Sequence, residues 1–362
     1  MARIDPLLDD LLARGGNALH IAAACPPMVR VRGDLVPLRD AALSAQSMDE
    51  ILFELVPPDV AKRLRDDLDA DFSWTHGDKA RFRVNCFYKR HGLSAVFQLL
   101  PSRVLSLAEL GCPEVLWRLA DKRFGLILVT GPAGSGKTTT MAAMVDHINK
   151  TRAGHIVTLE APLELVHEPL RSHVTHREIG RDAPTFELGL ESAANESADV
   201  VLCSDLASSG AMRRALALAC SGVLVIGSGF AGGAVSTLER IVASFPVEEQ
   251  PHVRGLLAES LAGIVTQQML RTADGKGRLT AHEILIGTPP AAAFIHEGRF
   301  SQLTSVMQAG QGVGMQTMEM SLERLMTAGR IAPEVALERA YDREAFARIV
   351  SRLRPDLAEP AV

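Results

Sequence analysis

The run Gly131-Pro132-Ala133-Gly134-Ser135-Gly136-Lys137-Thr138 spells G-x-x-x-x-G-K-[ST] in full, the pattern of a loop that cradles phosphates. Its glycines let the backbone curl until successive N–H groups point inward at phosphate oxygens, and the helix that follows offers its positive end to the same anion. Lys137 then reaches the β and γ phosphates as a point charge, the Thr138 hydroxyl ligates magnesium, and Thr139 closes the cradle. The loop specifies a nucleoside triphosphate and leaves open what the energy is used for.

That second question falls to carboxylates. Asp199 and Asp205 bracket the apolar run Val200 to Cys203, and either one suits a magnesium-orienting role. Position favours Asp205, at the carboxyl edge where ligands of open α/β sheets collect. Glu160 and Glu164 follow the run Ile156 to Leu159 and lie near the same edge, where a water-activating base fits. Composition alone reads them as surface carboxylates.

The elements that must hold these residues can be read from the pattern. Leu126-Ile127-Leu128-Val129 precedes the loop as a short continuous apolar run, the form of a strand buried on both faces of a parallel sheet. Similar runs recur at 156–159, 200–203 and 223–226, separated by segments of helical length, which is the α/β signature. Helix spacing is predicted for Val253, Leu256, Leu257, Leu261 and Ile264, and for Met315, Met318, Leu322 and Leu325, making the final third mostly helical. Before about residue 100 the texture differs. Met28 to Val31 alternates up to a hairpin at Gly33-Asp34, and Arg81 to Tyr88 sets Phe82, Val84 and Cys86 against Arg81, Arg83 and Asn85. The organisation expected is a small α+β domain over 1–100, a Pro- and Gly-punctuated linker over 101–115 around Pro101 to Pro113, and an α/β domain over 116–362.

Composition narrows the partners. The 362 residues allow about two domains. With 38 basic against 43 acidic residues and a net charge of -5, no nucleic-acid footprint is present, and 4% aromatics leave few platforms for stacked bases. The odd, scattered set Cys25, Cys86, Cys112, Cys203 and Cys220 fits core filling in a reduced, cytoplasmic compartment. No apolar run suits a signal peptide or a membrane span.

Taken together, these residues resemble the PilT/PilU family of type IV pilus retraction ATPases, within the wider secretion-ATPase superfamily. The similarity runs from about Leu19-His20 almost to residue 330. Beyond the loop it is carried by Pro26-Pro27-Met28-Val29-Arg30-Val31, Ala80-Arg81-Phe82-Arg83-Val84-Asn85, Thr158-Leu159-Glu160 with Pro162-Leu163-Glu164 and Val166-His167-Glu168, Ala281-His282-Glu283-Ile284, and Gly314-Met315-Gln316-Thr317-Met318. The resemblance implies a PAS-like α+β domain ahead of a RecA-like P-loop ATPase domain, ATP and Mg2+ as ligands, and a hexameric ring with nucleotide held between subunits. It matches Glu164 to the catalytic glutamate and places Arg81 and Arg83 near nucleotide. Thr138 and Asp205 fall on the metal side. It also implies an inner-membrane pilus platform as partner, with the protein cytoplasmic or peripheral at that membrane's inner face.

The departures bear on activity. Ala161 stands where the family has aspartate, and Ser204-Asp205-Leu206-Ala207-Ser208 replaces Gly-Glu-Met-Arg-Asp. Val223 and Phe230 replace two histidines, Gln98 replaces an arginine, and both arginines of the motif at 290–297 are gone. Shortening Glu to Asp withdraws the carboxylate by about one bond, and a displacement of about 1 Å costs on the order of 100-fold. Val223 and Phe230 leave no donor to orient a γ-phosphate. The cradle supplies ground-state contacts and the altered positions act on the transition state. Expected, therefore, is a paralogue that binds ATP, hydrolyses it weakly alone, and assembles as a homo-hexamer or with an intact retraction ATPase. A fully competent retraction motor and a non-catalytic ATP-gated scaffold are the alternatives. A P-loop kinase lacks an arginine-rich lid here.

Overall fold

A computed structural model describes residues 2–31, 34–100, 103–229 and 232–353. It divides into two compact units, one formed by residues up to Arg103 together with Pro162–Val166, the other by Val104–Ala161 and His167 onward.

In the first unit, strands Asp34–Pro37, Met28–Val31, Ala18–Ala22, Gly92–Leu99, Ala80–Lys89 and Asp69–His76 form, in that order, an antiparallel six-stranded sheet. Strand Ala80–Lys89 alternates as its sequence does: Phe82, Val84 and Cys86 are fully buried. They face Leu8, Leu11 and Leu52 from the helices Asp5–Ala13 and Ala45–Leu55, which leaves Arg81 and Arg83 on the other side. The hairpin differs slightly from its sequence reading. Asp34 already pairs with Val31 as the first residue of the return strand, while Gly33 lies outside the described residues, as does Pro101 of the linker.

The second unit is built on a seven-stranded sheet in the order Arg278–Ile286, Leu261–Arg271, Gly125–Thr130, Leu224–Gly227, Val200–Cys203, His155–Glu160 and His173–Glu178. All pairs are parallel except the edge strand Arg278–Ile286. Successive residues feed two separate cores. Leu126, Leu128, Val201 and Val225 pack on one face, and Ile127, Val129, Val200 and Ile226 on the other. Burial on both faces explains why these strands read as unbroken apolar runs.

The same physics overturns one sequence expectation. The helix spacing through Val253, Leu256, Leu257, Leu261 and Ile264 holds only to Ser260, where the helix Gln250–Ser260 stops. Leu261 and Ile264 belong to a buried strand of 11 residues, and its hairpin with Arg278–Ile286 puts sheet where a mostly helical final third was expected. A strand covered on both faces shows no period of two, so its apolar residues can match a helical register by accident. The second stretch is helical over Met318–Thr327 and packs inward through Met318 and Leu322. Cys86 and Cys203 are buried as expected, and Cys220 is exposed.

Candidate nucleotide-binding site

Strand Gly125–Thr130 delivers the phosphate loop and helix Lys137–Thr151 receives it. Gly131 (φ 133°), Gly134 (φ 74°) and Gly136 (φ 91°) all sit in the left-handed half of the map, which turns their neighbouring N–H groups toward one point. At Gly131 space is limiting as well, because a Cβ there would collide with the carbonyl oxygen of Gln267. Pro132, Ala133 and Gly134 form an exposed rim, while Ser135 is buried, its hydroxyl without a hydrogen-bond partner among the described residues. The receiving helix begins at Gly136 with no side-chain cap, so its first-turn N–H groups and positive end face the loop. Lys137 Nζ donates to the carbonyls of Gly131 (2.9 Å) and Pro132 (3.0 Å), and burial lowers its pKa. Thr138 and Thr139 are partly exposed on the first turn. A buried orphan hydroxyl, a curled loop and an uncapped helix end together suit a polyphosphate.

Sequence reasoning missed the residues that brace this cradle. The Gln267 side chain donates to Thr140 Oγ1 at 3.0 Å, and Thr130 Oγ1 pairs with Thr266 Oγ1 at 2.8 Å. Strand Leu261–Arg271 thus grips the loop at both ends. Nothing in the local sequence marks these contacts, since they join residues more than a hundred positions apart.

Strand direction sorts the carboxylates. Asp199 stands at the amino end of Val200–Cys203, where its carboxylate accepts the His155 N–H at 2.8 Å, on the edge away from the loop. Asp205 follows the carboxyl end of its strand, and the buried Glu160 is the last residue of its own. One strand, Leu224–Gly227, separates Gly125–Thr130 from Val200–Cys203, so the two strand ends lie about 10 Å apart across the sheet. Asp205 is exposed, and its Oδ1 accepts the Ala207 N–H at 2.8 Å. The residues after both strands are knitted together, with Ser228 Oγ donating to the Ser204 carbonyl at 2.8 Å.

The role expected of position 223 is corrected by the same reasoning. Val223 precedes Leu224–Gly227, and its carbonyl accepts the N–H of Gly125, the first residue of the strand that ends at the loop. A side chain there is at the opposite edge and cannot orient a γ-phosphate in this unit, so its replacement removes nothing from the cradle. Phe230 lies outside the described residues.

Arg81, Arg83 and Glu164 are brought together in the N-terminal unit. Arg81 donates to the carbonyls of Leu163 (3.0 Å) and Glu164 (3.4 Å). Arg83 divides itself between Asp71 Oδ1 at 3.4 Å and Glu164 Oε1 at 4.0 Å. Burial raises the Glu164 pKa, and the Arg83 charge offsets part of that. Gln98 stands directly across from Arg83 on the neighbouring strand, so the missing arginine would have joined the same face.

With this geometry in hand, comparison with known proteins is specific. The family model for type II/IV secretion system proteins matches residues 3–328. A twitching motility protein of Neisseria gonorrhoeae is 41% identical over 90% of this chain and 87% of its own length. A protein of Pseudomonas aeruginosa described as the type IV pilus retraction ATPase PilT is 40% identical over 95% and 99%. The crystal structure of the pilus retraction motor PilT with bound ADP superposes with a TM-score of 0.88 at 34% identity, covering 96% of this chain and all of that one. The fold is accordingly a RecA-like ATPase domain preceded by a small α+β, PAS-like domain. No helix among the described residues is long and apolar enough to cross a membrane.

Proposed function

The chain belongs to the type II/IV secretion system protein family and, within it, to the PilT/PilU pilus-retraction ATPases, and on that premise we propose that it binds ATP in the type IV pilus machinery but hydrolyses it weakly when alone. One observation supports the reading: the cradle from Gly131 to Thr139 is complete and braced, whereas Asp205, which the resemblance sets on the metal side in place of a glutamate, has its Oδ1 held by its own backbone turn.

In this reading the loop N–H groups and Lys137 bind the triphosphate, and Thr138 with Asp205 would hold Mg2+, which would supply charge neutralisation to the phosphates. Glu164 is the base that activates water. Its raised pKa brings it nearer the solvent pH, where a general base works best. Arg81 fixes the backbone that carries it, and Arg83 steadies its carboxylate. The protein would work at the cytoplasmic face of the inner membrane against a pilus platform protein, as a homo-hexamer or in a mixed ring with an intact retraction ATPase.

The test is phosphate release by the purified protein, by Glu164→Gln, and by a mixture with an intact retraction ATPase. Stimulation only in the mixture supports the reading. Equal inactivity of wild type and Glu164→Gln, alone and mixed, with nucleotide still bound, would make it an ATP-gated scaffold. The competent motor is favoured by the retained trio of Glu164, Arg81 and Arg83 and by the irrelevance of Val223. Brisk release by wild type alone, lost in Glu164→Gln, would establish that alternative.

A further inference from the structure

The chain continues beyond residue 328, where the family model stops, into helices Pro333–Arg339 and Arg343–Leu353. Their role follows from Glu283, a carboxylate with 4% of its surface exposed. Its Oε1 accepts the N–H of Ala234 at 2.6 Å, and the Met318 backbone N–H also favours its ionised form. Those amides open the helices Ala234–Ala243 and Met318–Thr327, so one buried charge serves two positive helix ends. The first helix follows the segment that leaves strand Leu224–Gly227 at the phosphate edge. Within that segment the Gly232 carbonyl lies 3.4 Å from Thr130 Oγ1, the side chain immediately before Gly131. Glu283 therefore anchors one end of a turn whose other contact is the cradle strand.

Tyr341 stands beside this anchor. A Cβ at Gly233 would lie 2.8 Å from Glu283 Oε1 and 3.3 Å from the Tyr341 ring, so only glycine lets the three approach. The Gln268 side chain is close enough to the Tyr341 hydroxyl to lower its pKa, and Gln268 donates to the Arg339 carbonyl at 3.3 Å. Gln268 adjoins Gln267, whose backbone limits Gly131 and whose amide holds Thr140. Both contacts of Tyr341 are thus one residue or one hydrogen bond from groups that touch the phosphate loop. Burial and the neighbouring Glu319 raise the Glu283 pKa, and the amides of Ala234 and Met318 pull the other way, so its ionised form depends on those two helix ends.

We propose that Glu283 is a positioning residue for the phosphate cradle and that Tyr341, by packing against Gly233 beside it, makes the C-terminal helices an intramolecular control on how firmly the turn Gly232–Ala234 holds against Thr130. The proposal rests on nucleotide binding at Gly131–Thr139 for its functional consequence and on the geometry alone for its mechanical one.

The experiment is amide hydrogen exchange on the full-length nucleotide-free protein, followed by dissociation of a fluorescent ADP analogue. Loss of one hydrogen bond to a charged group speeds exchange about tenfold. Tyr341→Ala is expected to show this in peptides covering both 232–240 and 131–140 and to accelerate ADP release in step. Tyr341→Phe, which keeps the ring against Gly233, is expected to match wild type at 232–240. Faster exchange confined to 333–353 in Tyr341→Ala would overturn the proposal, because that is what loss of local packing alone produces. If no variant binds the ADP analogue the proposed function fails, while the exchange pattern still decides this inference. Glu283→Gln, which keeps one acceptor, is expected to fall between wild type and Tyr341→Ala at 131–140, and wild-type exchange there would contradict the role of the charge.

Discussion

Lys137 is folded onto its own loop, its ammonium 2.9 Å from the carbonyl oxygen of Gly131. A phosphate must draw the lysine from neutral carbonyls to an anion, which strengthens each hydrogen bond it makes. Lys137→Ala is expected to weaken ATP binding on the order of 10- to 100-fold, since hydrogen bonds to charged groups contribute about 1.5–3 kcal/mol. Unfolding midpoints should stay close to wild type, because the lost partners are loop carbonyls at a partly exposed site. Equilibrium titration with a fluorescent ATP analogue checks the first point and urea unfolding the second.

The glycines of the loop separate two costs. Gly134 has nothing within 4 Å of a Cβ position, so Gly134→Ala bears only the left-handed backbone penalty, about 1–2 kcal/mol. Gly131→Ala adds a collision with Gln267 and must displace strand or loop. Urea unfolding should rank Gly131→Ala as clearly the less stable of the two, and equal midpoints would contradict the packing described.

These two glycines also mark what the sequence makes legible. A local motif such as Gly131 to Thr138 declares itself because its spacing is its chemistry. The alternation around Phe82 and Val84 is equally plain because one face of that strand meets the core and the other does not. Strand Leu261–Arg271 hides its nature, being covered on both sides. Val223 stands at the amino end of its strand whether the run is read as 223–226 or begins at Leu224, and only its match to a family histidine suggested a phosphate role. The meeting of Arg81 with the Glu164 loop, of Gln267 with Gly131 and of Tyr341 with Glu283 joins positions far apart in the chain. Only the resemblance drew the first pair together, and nothing in the sequence pointed to the other two.

Stability should fall in mild acid. His167 and His282 are buried, and desolvation holds each pKa near about 4, against 6.5 for the free group. Between those values the unfolded chain binds protons that the folded one refuses, so stability declines as pH drops from about 6.5 toward 4. Replacing a histidine whose Nε2 has no hydrogen-bond partner among the described residues should lessen that decline. His282→Leu is expected to lose less stability than wild type between pH 7 and pH 5 in urea unfolding. Parallel losses would show that His282 is not a source of the acid sensitivity.

Asp205 offers a gain-of-function test. Its carboxylate is exposed and engaged with Ala207 N–H, so lengthening it needs no core rearrangement. Asp205→Glu restores the reach of the family residue and is expected to raise ATP turnover at least several-fold, given that about 1 Å of misplacement costs up to 100-fold. Affinity for ATP should hardly move, because the cradle is untouched. A drop in turnover would mean that the shorter side chain is already matched to its site.

The protein is expected to hold the triphosphate far better than it cleaves it. Equilibrium ATP binding and steady-state phosphate release, measured with Mg2+ on one preparation of the isolated protein, test that difference most directly. Saturable binding that Lys137→Ala weakens on the order of 10- to 100-fold, with turnover at least about tenfold below that of an intact retraction ATPase assayed alongside, is the predicted result. Turnover equal to the intact enzyme, or no binding at all, would contradict it.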